Sequence, residues 1–135
     1  MKRSEAREQA FQLVFEMGIT GDSVDAAIDA AGMSRDLILD DFAEKLAKGV
    51  EQNREKIDEQ ISRYIRGWKF SRLSRVAVAA LRLAVYEILY EDNIPDSVSI
   101  NEAVELAKKY GSVEDAPFVN GVLASVVKSR GEERE

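Results

Sequence analysis

Between residues 74 and 90 the chain reads SRVAVAALRLAVYEILY, apolar on most sides of any helix drawn through it. A helix without a polar face must be surrounded by protein or by lipid. Arg82 interrupts its most apolar run, residues 76–81, which is too short to span a bilayer. The segment is therefore expected at the centre of a protein core, with the other elements wrapped around it. Arg82, placed inside that central helix, needs a buried carboxylate partner.

The wrapping elements also read as helices. At 100° per residue, Ala6, Ala10, Leu13, Val14 and Met17 form one stripe, flanked by Phe11 and Phe15. This predicts a first helix over residues 4–17, stopped by Gly18. Ser23 caps a short second helix over 24–31, and Ser34 caps a third with Ile38, Leu39, Phe42, Leu46 and Val50 inward. A break near 49–53 leads to a fourth helix carrying Ile57, Ile61, Tyr64 and Ile65. Gly67 interrupts it before Trp68 and Phe70, two aromatics expected to plug a junction. After the central helix, SINE offers a capping box, Ser99 with Glu102, for a sixth helix ending at Tyr110. The stretch SVEDAP is placed to start a seventh, and the charged residues from Ser129 onward are expected to fray.

The dipeptide Asn120-Gly121 between apolar flanks would signal a hairpin turn. The flanks do not alternate, however. Phe118, Val119, Val122, Leu123, Val126 and Val127 recur at helical spacing, so Asn120 and Gly121 lie inside the seventh helix. Glycine there costs roughly 1 kcal/mol against alanine. Together with Ala124 and Ser125 it makes a small, polar face, approached closely either by another helix or by a ligand.

With 135 residues the chain can build one compact domain. It contains no Cys and no His, which removes thiol nucleophiles, imidazole bases, thiolate metal sites and disulfides. No Gly-rich phosphate loop and no convergent nucleophile–base set is visible, so an enzyme is not expected, nor a metal or cofactor. The charged N-terminus lacks the apolar core of a signal peptide, which points to the cytoplasm. The net charge of −6 should repel nucleic acid on average. The distribution is uneven: from 63 to 82 every charged side chain is basic, and Tyr64, Trp68 and Phe70 are interleaved. Charge for the backbone and rings for the bases are what single-stranded RNA requires. Arg3 and Arg7 continue the apolar stripe of the first helix, either as side chains snorkelling at the end of a bundle or as a pocket for phosphate oxygens.

Four stretches, AREQAFQLVFE (6–16), ALRLAVYEIL (80–89), IPDSVSINEAVELAKKYG (94–111) and FVNGVL (118–123), carry a specific resemblance to the NusB family of transcription antitermination factors. The resemblance spans nearly the whole chain. It implies an all-α fold of seven helices in two small bundles, an N-terminal one over about 1–67 and a C-terminal one over about 68–130, with a tail at 131–135. It also implies a non-enzymatic protein that binds boxA, a short single-stranded element of nascent RNA. The implied partners are the small-subunit ribosomal protein acting as NusE, other Nus factors and RNA polymerase, notably during ribosomal RNA transcription. Carried over by position, Lys2, Arg3, Arg7, Tyr64, Phe118 and Asn120 would contact RNA. Phe15, Tyr86, Glu87 and Glu114 would contact the partner. The chain has Phe15 where many relatives have Tyr, and Ala124 where they have an acid. A single landing spot is expected, with the basic tip of the first helix beside Phe118. The rival reading is a protein-interaction module with no direct role in RNA binding.

Overall fold

The computed structural model describes residues 2–32 and 38–134, without the side chains of 132–134. Among these residues there are seven α-helices: α1 (Arg3–Thr20), α2 (Val24–Ala30), α3 (Asp41–Gln52), α4 (Arg54–Arg63), α5 (Arg75–Tyr90), α6 (Asp96–Tyr110) and α7 (Asp115–Arg134). A 3₁₀ turn, Phe70–Arg72, precedes α5, and no strand is present among the described residues. None of these helices is long and apolar enough to cross a membrane.

The apolar segment is central, as its composition demands. Packed against α5 are α1, α3, α4, α6 and α7. Ala77, Ala80, Leu81, Leu83, Val85 and Ile88 of α5 are buried in one cluster with Leu13 and Val14 of α1, Leu46 and Val50 of α3, Ile57 and Ile61 of α4, Leu106 of α6, and Val119 and Leu123 of α7. Its start is set by Ser74, whose Oγ accepts from the Ala77 amide at 3.0 Å. The partner that Arg82 requires is Asp58 of α4, held by two parallel hydrogen bonds of 2.9 Å.

Several boundaries differ from the sequence expectation. α1 runs through Gly18 and ends at Gly21, which takes the left-handed conformation (φ 75°) and donates its N–H to the Met17 carbonyl. Gly18 instead marks a close approach to α5: its carbonyl accepts from Arg75 Nη1 at 3.0 Å, and a Cβ there would sit 3.4 Å from Arg82 Nη1. The expected cap Ser34 lies outside the described residues. α3 starts at Asp41, capped by Asp40, which accepts from the Phe42 and Ala43 amides. Ile38 precedes that cap and is exposed rather than inward, whereas Leu39 is buried.

The Ser99–Glu102 capping box does not form. α6 begins a turn earlier, with Pro95 in the cap position. Ser99 and Glu102, one turn apart, face inward on the same side. There, Ser99 Oγ donates to Glu87 and Glu102 accepts from Ser4 Oγ. α7 continues to Arg134, past the expected fraying point.

Asn120 and Gly121 do lie within α7. The small face is open to solvent: a Cβ on Gly121 would meet nothing within 4 Å. Gly121→Ala is therefore expected to raise stability by about 0.5–1 kcal/mol in a thermal melt, since only the helix propensity changes.

Candidate nucleic-acid and partner interface

Beyond α4 the chain turns at Gly67, which has φ 77°. The turn presents Trp68, which is 59% exposed instead of plugging a junction. Its ring meets Phe118, near the start of α7, edge-on at a centroid distance of 6.0 Å and an interplanar angle of 66°. The pair stands over a groove of about 480 Å³ whose walls include Arg72, Leu73, Ala77, Glu114 and Asp115. Arg66, Lys69 and Arg72, from the same basic stretch, are exposed. The other aromatic, Phe70, is half-buried with the Arg82 guanidinium 5.5 Å from its ring centroid. Trp68, which the sequence offered either as packing or as a ring among cations, is thus open to solvent. Its signal was the left-handed Gly67 before it and the cations on either side.

The cationic residues of α1 divide. Lys2 and Arg3 are exposed, and the Arg3 guanidinium stacks 3.8 Å from the Phe42 ring centroid. Arg7 is 4% exposed and belongs to the core. Its Nε and Nη2 donate to the Glu87 carboxylate at 3.0–3.1 Å, and Nη1 lies 3.9 Å from Glu102. Neither snorkelling nor a phosphate pocket describes this arginine. A guanidinium so placed is bound to α5 and spends most of its donors there.

α1 and α5 are antiparallel, since Arg7 meets Glu87 while Gly18 meets Arg75. The basic tip of α1 consequently lies at the C-terminal end of α5. Phe118 lies at the other end, against Ala77. From Ala77 to Glu87 the helix rises by roughly 15 Å. The single landing spot is therefore replaced by two separated patches.

The remaining expected contacts scatter likewise. Tyr64 is half-buried at the C-terminal end of α4. Asn120 is exposed, but two residues from Phe118 it points to a different side of α7. Glu114 is exposed in the Trp68–Phe118 groove. Phe15 is half-buried, 6.1 Å from Phe11.

Tyr86 and Glu87 are buried and so are closed to a partner by packing. Tyr86 donates to Glu91, and burial together with that carboxylate pushes its phenol up to about 12. One exposed cluster had no sequence signal: Lys109 and Tyr110 of α6 both donate to Glu8 of α1. These hydrogen bonds hold the Glu8 carboxyl below its usual range.

Comparison with known proteins agrees with this architecture. Residues 4–128 match the model of the NusB family. The chain belongs to the NusB family. It is 44% identical over 126 residues to the transcription antitermination protein NusB of Bacillus licheniformis, an alignment covering 93% of this chain and 96% of that protein. Among solved structures, NusB of T. maritima is similar with a TM-score of 0.84 at 33% identity, covering 95% of this chain and 92% of that one. A crystal structure of the antitermination factors NusB and NusE in complex with dsRNA gives a TM-score of 0.79 at 26% identity, covering 94% and 96%. In this NusB-family chain, then, Trp68 beside half-buried Phe118 and the tip of α1 are open to solvent, whereas Arg7, Tyr86 and Glu87 are buried.

Proposed function

We propose that this chain binds a boxA-type single-stranded RNA together with the ribosomal protein acting as NusE. The pair would support antitermination complexes with other Nus factors on RNA polymerase in the cytoplasm, notably during ribosomal RNA transcription. The observation that carries the RNA reading is exposed Trp68, edge-on to half-buried Phe118, among Arg66, Lys69 and Arg72. Rings supply sequence-tolerant stacking and the cations neutralise phosphates. The likeness to a complex of NusB and NusE with dsRNA supports an RNA ligand and the NusE partner, without bearing on strandedness.

In this reading Trp68 and Phe118 stack bases, with Tyr64 and Asn120 at the margins. Lys2 and Arg3 form a second contact, so a strand touching both patches runs along α5 and is several nucleotides long. Arg7 holds α1 against α5 and positions that tip. Phe15 and Glu114 face the protein partner. With a net charge of −6, the lone chain has few phosphate contacts and binds RNA modestly. The basic surface of a ribosomal protein completes the site.

The test is boxA binding by the chain alone and by the pair, at two salt concentrations. Affinity is expected to rise with the partner and to fall with salt. Trp68→Ala should weaken RNA binding by roughly 1–3 kcal/mol per lost stack, with little change in melting temperature because the ring is exposed. Equal binding of scrambled RNA, no effect of the partner and a flat salt dependence would favour a protein-interaction module instead.

A further inference from the structure

Asp115, the first residue of α7, spends its carboxylate on two different segments. Oδ2 accepts from the Ser112 amide at 3.0 Å, while the Asp115 amide donates to the Ser112 carbonyl at 3.1 Å. This is the reach-back half of a capping box. Oδ1 accepts from Ser74 Oγ at 3.0 Å, across 41 positions of the chain. The same hydroxyl accepts from the Ala77 amide and so caps α5. One carboxylate thus ties the start of α7 to the start of α5. Among the described residues no other side-chain hydrogen bond links α7 to residues 64–90. The loop before Asp115 is closed tightly: a Cβ on Gly111 would run into Asp115 Oδ2 and lie 2.8 Å from the Ala107 carbonyl oxygen.

The two ends joined in this way carry the two rings. Trp68 belongs to the turn that leads to Ser74, and Phe118 follows Asp115 within one turn of α7. All four residues line the aromatic groove. We infer that Asp115 is a positioning residue for the stacking pair: by latching α7 to Ser74 it holds Phe118 at the spacing from Trp68 that receives an unpaired base. This rests on the RNA reading above and adds the side chain that sets its platform. The negative charge of Asp115 opposes a phosphate strand. Its effect through position and its effect through charge therefore have opposite signs, which makes them separable.

The experiment uses the full chain with Asp115→Ala, Asp115→Asn or Phe118→Ala, and measures boxA RNA binding at two salt concentrations, well below each melting temperature. The chain has one tryptophan, so its emission reports this ring alone. Asp115→Ala should shift the emission and acrylamide quenching of Trp68 toward those of Phe118→Ala. It should weaken RNA binding about fivefold, part of what a lost stack costs. The loss should be larger at the higher salt concentration, where the removed charge matters least. Asp115→Asn should fall between, because its amide oxygen keeps one of the two bonds. In a Trp68→Ala background Asp115→Ala should have little further effect, whereas in an Arg3→Ala background its effect should persist in full.

Unchanged Trp68 emission with unchanged or tighter RNA binding in both Asp115 variants would overturn the inference while the RNA reading stands. A full loss that persists without Trp68 would overturn it equally, since Asp115 would then act elsewhere. If Trp68→Ala itself binds boxA RNA like the unchanged chain, the stacking reading and this inference fall together.

Discussion

Arg7→Ala is expected to cost about 3–5 kcal/mol of stability, the usual penalty for leaving one member of a buried ion pair alone. In a chain of this length that lowers the melting temperature by about 10–20 °C. Glu87 is 1% exposed and would keep only Ser99 Oγ as a close donor. The carboxylate cannot reach water without opening the contact between α1, α5 and α6. Arg7→Lys should fall between, because an ammonium cannot supply the paired donors of a guanidinium. Arg7→Glu would set two carboxylates against each other in the core and is expected to unfold the chain. Replacing both residues by methionine should recover much of the loss, since no buried charge remains unpaired. Thermal denaturation of the four variants checks this. An Arg7→Ala protein that melts normally but no longer holds boxA RNA would return Arg7 to the RNA surface.

Gly49→Ala should destabilise although it improves helix propensity. A Cβ at Gly49 would lie 2.2 Å from two carbons of the Tyr86 ring and 2.7 Å from its hydroxyl oxygen. The ring has little freedom to yield: it is buried, stacked at 5.5 Å on Tyr90 and hydrogen-bonded to Glu91. Overpacking of this kind costs about 1–3 kcal/mol, at times more, against a propensity gain of up to about 1 kcal/mol. The net change is a loss, opposite in sign to Gly121→Ala. In a Tyr86→Leu background the clash is relieved, so the two substitutions should be strongly non-additive in denaturant unfolding. Additivity would show that α3 and α5 can separate at this point at little cost.

These two glycines show where local reading reaches its limit. Both lie inside helices, and nothing in the adjacent residues tells them apart. One is packed against an aromatic ring from a helix far along the chain, while the other faces solvent. Arg3 and Arg7 pose the same problem. They are one turn apart on one stripe, yet the first stacks on Phe42 in the open and the second is buried against Glu87.

Trp68 reversed the expectation in the other direction. Large aromatics are usually covered, and only the turn at Gly67 and the path of the 3₁₀ turn keep this one exposed. The displaced caps have a comparable cause. Ser99 was read from its neighbours as a helix start, whereas a buried carboxylate on another helix claims its hydroxyl.

The sequence by itself determined that this is an all-helical protein built around residues 74–90, that Arg82 requires a carboxylate, that Asn120-Gly121 sits within a helix, and that four motifs identify the family. Each follows from periodicity, composition or a contiguous string, which are properties of neighbours in the chain. Only the tertiary structure decided which cations are free, that the α1 tip and Phe118 stand at opposite ends of α5, and that Tyr86 and Glu87 are inside. Burial and charge pairing depend on residues dozens of positions apart, and the antiparallel packing of α1 on α5 sets which of them meet.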